Sequence, residues 1–146
     1  MRVVGVYVMK NMRPQRCLLS KLAMQWWKNL ESKMWKVADG KIENVSGRTA
    51  FLAAREGDET AKNVIQQFVG YLAEGIADFV NILRPESIVI GGGISNEGEL
   101  LFEPLRKAVD ARTYIAMDIV PLKIVGAKLG NRAGIYGVYC IAKNNL

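Results

Sequence analysis

The longest regular pattern of apolar residues lies between positions 61 and 83 and has the spacing of a helix. Apolar side chains recur there every three or four positions: Ala61, Val64, Ile65, Phe68, Leu72, Ile76, Phe79, Val80 and Leu83. This spacing predicts a long α-helix that buries one face. We expect Asp58 to cap its start, and Pro85 to end it because proline lacks an N–H and disfavours helical geometry in the preceding residue. Gly70 and Gly75 would weaken an isolated helix, so we expect a neighbouring element to pack closely against them.

Shorter helices are predicted on both sides of this one. We expect a short helix to begin at Ser46 and run through Arg55, and Gly57 to end it as a C-cap. Pro104 suits the first turn of a later helix, where its missing N–H has no partner to lose. The expected helical segments are 18–35, 46–55, 97–101, 104–112 and 133–142.

A short strand that ends in three glycines separates the long helix from the helix after it. Residues 87–90 form a β-branched apolar run, which is typical of a parallel strand covered on both faces. The glycines at 91–93 let the backbone turn sharply or let a ligand approach it closely. We expect Ser95 or Asn96 to cap the next helix, with free N–H groups pointing at the mouth of the turn. The pattern is neither GxGxxG nor a Walker loop, so a ligand site and a plain strand-to-helix connection both remain open.

Two other segments are expected to join this strand in a small sheet. They are residues 2–9 and residues 118–125, and we expect 87–90 and 119–125 to be the central strands. The overall prediction is an α/β fold that is rich in helix. A sheet this small has an exposed edge, which invites pairing. We therefore expect residues 2–9 to cover that edge, or the chain to form a homodimer.

The excess of basic over acidic residues is confined to the first quarter of the chain. The 146 residues carry a net charge of +6, yet residues 1–36 alone have eight basic residues and one acid. This distribution does not favour a nucleic-acid surface across the whole domain. Three tryptophans lie among these cations, Trp26, Trp27 and Trp35; they could stack on bases, but we favour packing in a core or an interface.

Cysteine and histidine usage excludes several kinds of site. Cys17 and Cys140 give neither a disulfide framework nor a metal-binding spacing, and the chain has no histidine. A reducing, cytoplasmic setting is expected, and no run is long enough to span a bilayer. Glu74 and Asp78 are spaced as two ligands on one helix would be, but we interpret them as part of a solvated face.

Residues 28–143 resemble the C-terminal half of the ROK family, which comprises bacterial sugar kinases, chiefly glucokinases, and related repressors. The resemblance rests on the shared order and spacing of six motifs. They are GRTA at 47–50, AREGD at 54–58, NILRP at 81–85, IVIGGGIS within 88–95, EPLR at 103–106 and LGNRAGIYG at 129–137. It divides the chain into an unmatched basic segment, 1–27, and a family lobe, 28–146. The abrupt change near Lys28 suggests a truncated or frame-altered N-terminal segment.

The resemblance implies the C-terminal, adenosine-side lobe of an actin-like (ribonuclease H-like) ATPase fold. Gly91, Gly92, Gly93 and Asn96 would then contact adenosine. A second set would let elements approach closely beside the cleft: Gly130, Ala133, Gly134 and Gly137. Many relatives have an acid where this chain has Arg132, which puts the local electrostatics in question. ATP and Mg²⁺ are the cofactors that the family implies.

Several elements that such kinases need have no counterpart in this sequence. There is no Asp-Gly-Gly-Thr loop, no CxCGxxGC zinc motif and no recognisable catalytic Asp. Phosphoryl transfer depends on groups positioned around the phosphates and the metal, so we assign no catalytic or metal-binding residue. The prediction is a truncated glucokinase-like protein, whose family reaction is ATP-dependent phosphorylation of glucose or a related hexose. We expect ATP binding to be weak or absent and the isolated chain to be inactive.

Two other functions remain open at this point. The lobe can serve as a non-catalytic oligomerisation or regulatory module, as in ROK repressors, or as one half of a kinase assembled from two chains. A hexose is expected as a ligand only if a complementary lobe is supplied. No membrane or nucleic-acid partner is expected.

Overall fold

A parallel three-stranded sheet with helices packed beside it is the framework of the molecule. The computed structural model describes residues 3–7, 22, 31–114, 122–128, 139 and 143. The strands are β1 (Val3–Tyr7), β2 (Ser87–Gly91) and β3 (Lys123–Gly126), in the order β1-β2-β3. In register, Val4 and Ile124 lie on either side of Ile88. Ile88, Ile90 and Ile124 are buried, so this face of the sheet contributes to the core.

Four α-helices fall within the described part of the chain. They are α1 (Met34–Val37), α2 (Gly47–Arg55), α3 (Glu59–Leu83) and α4 (Glu99–Asp110), and two 3-10 helices, Ile42–Asn44 and Gly93–Glu97, occur between them. α3 packs against both α2 and α4. None of the helices described is long and apolar enough to cross a membrane.

The predicted start of α2 is confirmed, and its cap explains why the helix begins there. The hydroxyl of Ser46 accepts a hydrogen bond from the N–H of Arg48, and the N–H of Ser46 donates to Thr49 Oγ1 at 2.9 Å. This reciprocal arrangement satisfies backbone donors that a helix start leaves without partners. Gly57 follows the helix with a positive φ of 87°, as a glycine C-terminal signal requires.

Asp58 caps α3, as predicted, and also ties a preceding segment to it. Asp58 Oδ1 accepts from the N–H of Ala61 at 2.9 Å. Its other oxygen, Oδ2, accepts from the hydroxyl of Ser32 at 2.7 Å and from the N–H of Lys33. The carboxylate is buried. One side chain therefore joins the start of α3 to the turn that precedes α1.

The buried face of α3 follows the predicted stripe along most of the helix and departs from it near the C-terminal end. Its buried members are Ala61, Val64, Ile65, Phe68, Val69, Ala73, Ile76 and Ala77. Phe79 and Leu83 were expected in the core but are about half exposed. Between these two residues, the side chain of Asn81 donates to the carbonyl of Arg112 and accepts from the N–H of Tyr114, in the segment that follows α4.

Among the described residues, no element packs closely against Gly70 or Gly75, contrary to expectation. A Cβ placed on either residue would have no heavy atom within 4 Å. Neither residue has a positive φ. Gly75 is exposed and Gly70 lines a groove between α3 and α4, and no contact among the described residues requires glycine at either position.

Replacing Gly75 with alanine is expected to raise the free energy of unfolding by about 0.5–1 kcal/mol. Alanine loses less backbone freedom on folding and meets no neighbour at this position. Urea denaturation of the two proteins measures the difference. A destabilised variant would mean that another element packs on this surface.

The order of the strands confirms one expectation and corrects another. β1 pairs with β2, so the segment 2–9 does cover an edge of the central strand. Among the strands described, only β2 is central, and β3 lies at the edge. Within the described residues, the prediction of two central strands is not met, because β3 pairs with β2 alone. The predicted segment 118–121 lies outside the described residues.

Pro104 lies inside α4 rather than in a first turn, so the two predicted helical segments are one helix. The helix begins earlier because the carbonyl of Gly98 accepts from the N–H groups of Leu101 and Phe102. The predicted helix over 18–35 is not continuous, because residues 31–33 form a turn and α1 begins only at Met34. Residues 18–30 and the predicted helix over 133–142 lie almost wholly outside the described residues. Of the former, only Leu22 is described, and it is buried in the core.

Candidate functional site

The turn after β2 has a backbone conformation that depends on glycine. Gly91 and Gly92 are buried, and Gly93 begins the short 3-10 helix Gly93–Glu97. Gly92 has φ 93° and ψ 176°. This region of backbone space is essentially restricted to glycine, because an L side chain would clash there. The sequence requirement at the turn is therefore strictest at Gly92.

Ser95 stabilises this turn, in a different way from the one expected. Its hydroxyl donates to the carbonyl of Gly92 at 2.7 Å, and its N–H donates to the same oxygen at 3.2 Å. Neither Ser95 nor Asn96 caps the next helix: Gly98 precedes α4, and no side chain bonds to that helix start. The prediction failed because both residues lie within the 3-10 helix, one turn too early to act as caps.

A cluster of ion pairs, between a buried carboxylate and two partly exposed arginines, joins the end of the 3-10 helix to α2. Glu97 is only 7% exposed. Its Oε2 accepts from Arg55 Nη2 at 2.7 Å, and its Oε1 lies 3.8 Å from Arg48 Nε. Arg48 and Arg55 are seven residues apart, two helical turns, so they project from one face of α2. That spacing is the only sequence signal of the cluster, and sequence reasoning did not use it.

β3 approaches the turn closely, which also requires a glycine. The N–H of Ala127 donates to the carbonyl of Ile90 at 2.8 Å. A Cβ on Gly126 would lie 3.2 Å from Phe102 Cζ and 3.4 Å from Ser95 Cβ. Gly126 was not predicted as a site residue. Its lack of a side chain lets β3, α4 and the glycine turn meet at one edge of the sheet.

The structure brings some of the predicted site residues together and leaves the others unplaced. Residues 91–93 lie in one turn at the carboxyl end of the central strand, and Asn96 is exposed on the 3-10 helix beside them. The second predicted group, Gly130, Ala133, Gly134 and Gly137, lies outside the described residues, as does Arg132. A nucleotide contact by either group remains a prediction.

The turn can offer a ligand a specific kind of surface. Three successive residues without side chains allow close approach to the backbone. Ligands of open α/β sheets bind beyond the carboxyl ends of the strands, which is where this turn lies. The flat, uncharged surface of a nucleoside suits such an element. Among the residues described, no group of three or more Cys, Asp or Glu side chains could hold a metal ion.

A separate groove of about 640 Å³ lies between α3 and α4. Ile65, Val69 and Pro104 are among its apolar lining residues, and Lys62 and Lys107 are among the charged ones. Lys62 pairs with Glu59 and Lys107 with Glu103. No residue of the glycine turn lines this groove, so it is not part of the candidate site.

The parallel sheet, the glycine turn and the helices beside them define the fold class of actin-like sugar kinases. The fold is similar to the crystal structure of a ROK family glucokinase from Streptomyces griseus in complex with glucose and AMPPNP, with a TM-score of 0.76 and 26% identity. The match covers 88% of this chain and 42% of that protein. The predicted α/β, helix-rich fold is confirmed.

The model of the ROK family matches residues 20–145, and the chain belongs to this family. It is 39% identical over 117 residues to a glucokinase of Thermotoga maritima, a match that covers 79% of this chain and 36% of the relative. It is 31% identical over 134 residues to a xylose repressor of Caldicellulosiruptor bescii, covering 92% of this chain and 32% of the relative. The chain thus spans about a third of the length of these relatives.

Proposed function

We propose that this chain provides the adenosine-binding part of a glucokinase-like protein. The family reaction would be ATP-dependent phosphorylation of glucose or a related hexose, with Mg²⁺ as the metal. The observation that carries the proposal is the glycine turn at the carboxyl end of β2 in a chain 39% identical to a glucokinase. The solved relative, a glucokinase, was crystallised with glucose and the nucleotide analogue AMPPNP.

The residues of the turn fit the adenosine half of ATP better than its phosphate half. The buried glycines at 91 and 92 leave room for a flat group against the backbone. Phosphates and Mg²⁺ need carboxylates and converging N–H or cationic groups around them. No acidic cluster of this kind occurs in the described part of the chain. We therefore propose that the chain holds adenosine and does not itself catalyse transfer to the sugar.

This division of roles makes a test possible that separates the two halves of the nucleotide. Calorimetric titration with ATP–Mg is expected to give a dissociation constant of about 1 mM or weaker, because charge-assisted hydrogen bonds to the phosphates are each worth about 1.5–3 kcal/mol. Adenosine is expected to bind within about threefold of ATP, since the phosphates add little. A coupled assay on the same sample is expected to show no phosphorylation of glucose.

Each outcome of that test points to a different function. Turnover would mean that this chain supplies catalytic groups that we have not assigned. Much tighter binding of ATP than of adenosine would mean that a phosphate site exists. No binding of either ligand would contradict the proposal and favour a structural role for the turn.

A second candidate function is that of a non-catalytic oligomerisation or regulatory module. It is favoured by the similarity to a xylose repressor, which covers 92% of this chain. In this role the chain would form homodimers and would need no nucleotide. Light scattering of the purified protein distinguishes monomer from dimer, and a monomer that binds adenosine would exclude this alternative. For either function, the lack of a disulfide framework in the sequence supports a cytoplasmic setting.

A further inference from the structure

Glu97 differs from the other acidic residues that form ion pairs in the described part of the chain. The side chains of Glu59, Glu99 and Glu103 are 79%, 69% and 63% exposed, whereas that of Glu97 is 5% exposed. Exposed pairs contribute little to stability. A buried carboxylate is costly unless its partners compensate for the lost water, so Arg55 and Arg48 hold Glu97 at a specific place.

The segment that Glu97 anchors lies between two glycines; its other contacts include the packing of Ile94 on the core and the approach of Ser95 to Gly126 of β3. Gly92 precedes the 3-10 helix Gly93–Glu97 and Gly98 follows it, and both have positive φ values, 93° and 66°. Glycine is the residue with the widest choice of backbone conformations. The bond from Ser95 to the carbonyl of Gly92 lies within the segment. The ion cluster of Glu97 instead joins the segment to α2, a separate element.

We propose that Glu97 is a positioning residue: its ion pairs with Arg55 and Arg48 hold the glycine turn in the orientation that receives a ligand. This inference deepens the proposed function and rests on it for the identity of the ligand. The physical reason is preorganisation. A turn that is already held in its binding conformation loses less freedom when the ligand binds, so the affinity is higher.

Hydrogen exchange of the backbone amides tests the positioning role without any ligand. In Glu97→Gln, a neutral side chain replaces the carboxylate that accepts from Arg55. We expect amides of residues 93–97 to exchange about tenfold faster, because this segment opens locally more often when the ion pair no longer holds it. Amides in the middle of α3 should keep their rates. Equal acceleration throughout the chain would show only lost global stability and would overturn the inference.

Glu99→Gln is the matched control. Glu99 lies two residues further along, and its carboxylate also accepts from an arginine, Arg106, at 2.7 Å, but on exposed surface. In Glu99→Gln, the amides of residues 93–97 should exchange at the same rates as in the wild type. If Glu97→Gln fails to fold, Arg55→Gln carries the same measurement, since it removes the guanidinium that donates to Glu97 at 2.7 Å. Unchanged rates at 93–97 in that variant would also overturn the inference.

Nucleotide binding then separates this inference from the proposed function. We expect Glu97→Gln to weaken ATP–Mg binding at least fivefold, with a similar loss in Arg55→Gln and no further loss in the double variant. Such non-additivity is expected when two residues act as one unit. Equal affinity in the wild type and Glu97→Gln would overturn the positioning role and leave the proposed function standing. No binding by the wild type would overturn the proposed function and the ligand role of Glu97 together.

Discussion

Replacing Gly92 with alanine is expected to abolish detectable ATP binding and to lower the free energy of unfolding by about 1–3 kcal/mol. The backbone at Gly92, with φ 93° and ψ 176°, is strained for any residue with a side chain. Alanine would relieve the strain by rotating the turn. That rotation would displace the carbonyl that accepts two hydrogen bonds from Ser95. Urea denaturation measures the stability, and calorimetry with ATP–Mg measures the affinity.

Gly40→Ala is the matched control for this variant. Gly40 also has a positive φ, 67°, but it lies on exposed surface in the turn after α1. Alanine there should cost about 1–2 kcal/mol through the same kind of strain and leave ATP binding unchanged. Loss of binding in both variants would attribute the effect to overall stability. Retained binding in Gly92→Ala would mean that the turn does not contact the ligand.

Replacing Asp58 with asparagine is expected to lower the free energy of unfolding at pH 7 by about 2–3 kcal/mol. Both oxygens of the carboxylate accept hydrogen bonds, Oδ1 from the N–H of Ala61 and Oδ2 from Ser32 and Lys33. An amide has one oxygen, so one of these sets of donors would face an NH₂ group. Asp78→Asn, on the exposed face of the same helix, should change the stability by less than about 0.5 kcal/mol.

The contribution of Asp58 to the free energy of unfolding is expected to be lost at low pH. Burial raises the pKa of Asp58, but hydrogen bonds from Ala61, Ser32, Lys33 and the N–H of Thr60 outweigh it, so its pKa lies below the ordinary value of 3.8. The folded state then prefers the ionised carboxylate, and the unfolded state binds its proton first as the pH falls. The contribution of Asp58 to stability is therefore fully present at pH values above 3.8. It is lost as the pH falls through the lower pKa of the folded state.

A pH series of denaturation curves checks this direction. The difference in stability between the wild type and Asp58→Asn should be constant from neutral pH down to about 5 and should shrink below about 4. Asp78→Asn is again the control, here for effects of low pH on stability that do not involve Asp58. A difference that grows on acidification would mean that Asp58 is protonated more readily in the folded protein.

Features with a local cause could be predicted from the sequence. The cap at Asp58, the cap at Ser46 and the stop after Arg55 each depend on residues within a few positions of one another. The strand before the glycines is likewise specified by a short β-branched run, and the structure places it at Ser87–Gly91. The buried face of α3 was also predicted correctly along most of the helix, because regular spacing within one segment keeps the same face against the core.

Features that depend on distant parts of the chain could not be predicted in this way. Glu97 is buried because two arginines of α2 reach it, and they precede it by 42 residues or more. Gly126 matters because Phe102 and Ser95 converge on it. In each case the deciding partner comes from another element, and spacing within one segment does not reveal it.

The pairing of β1 with β2 also has a consequence for the synthesis of the protein. Val3 pairs with Ser87, so the first strand is made long before its partner leaves the ribosome. At 5–20 residues per second, the interval is on the order of ten seconds. During this time an apolar, valine-rich strand lacks the partner that it has among the described strands, and unpaired strands of this kind are prone to aggregate. The nascent chain therefore passes through a period in which protection by a chaperone would matter most, and that period ends when the central strand emerges.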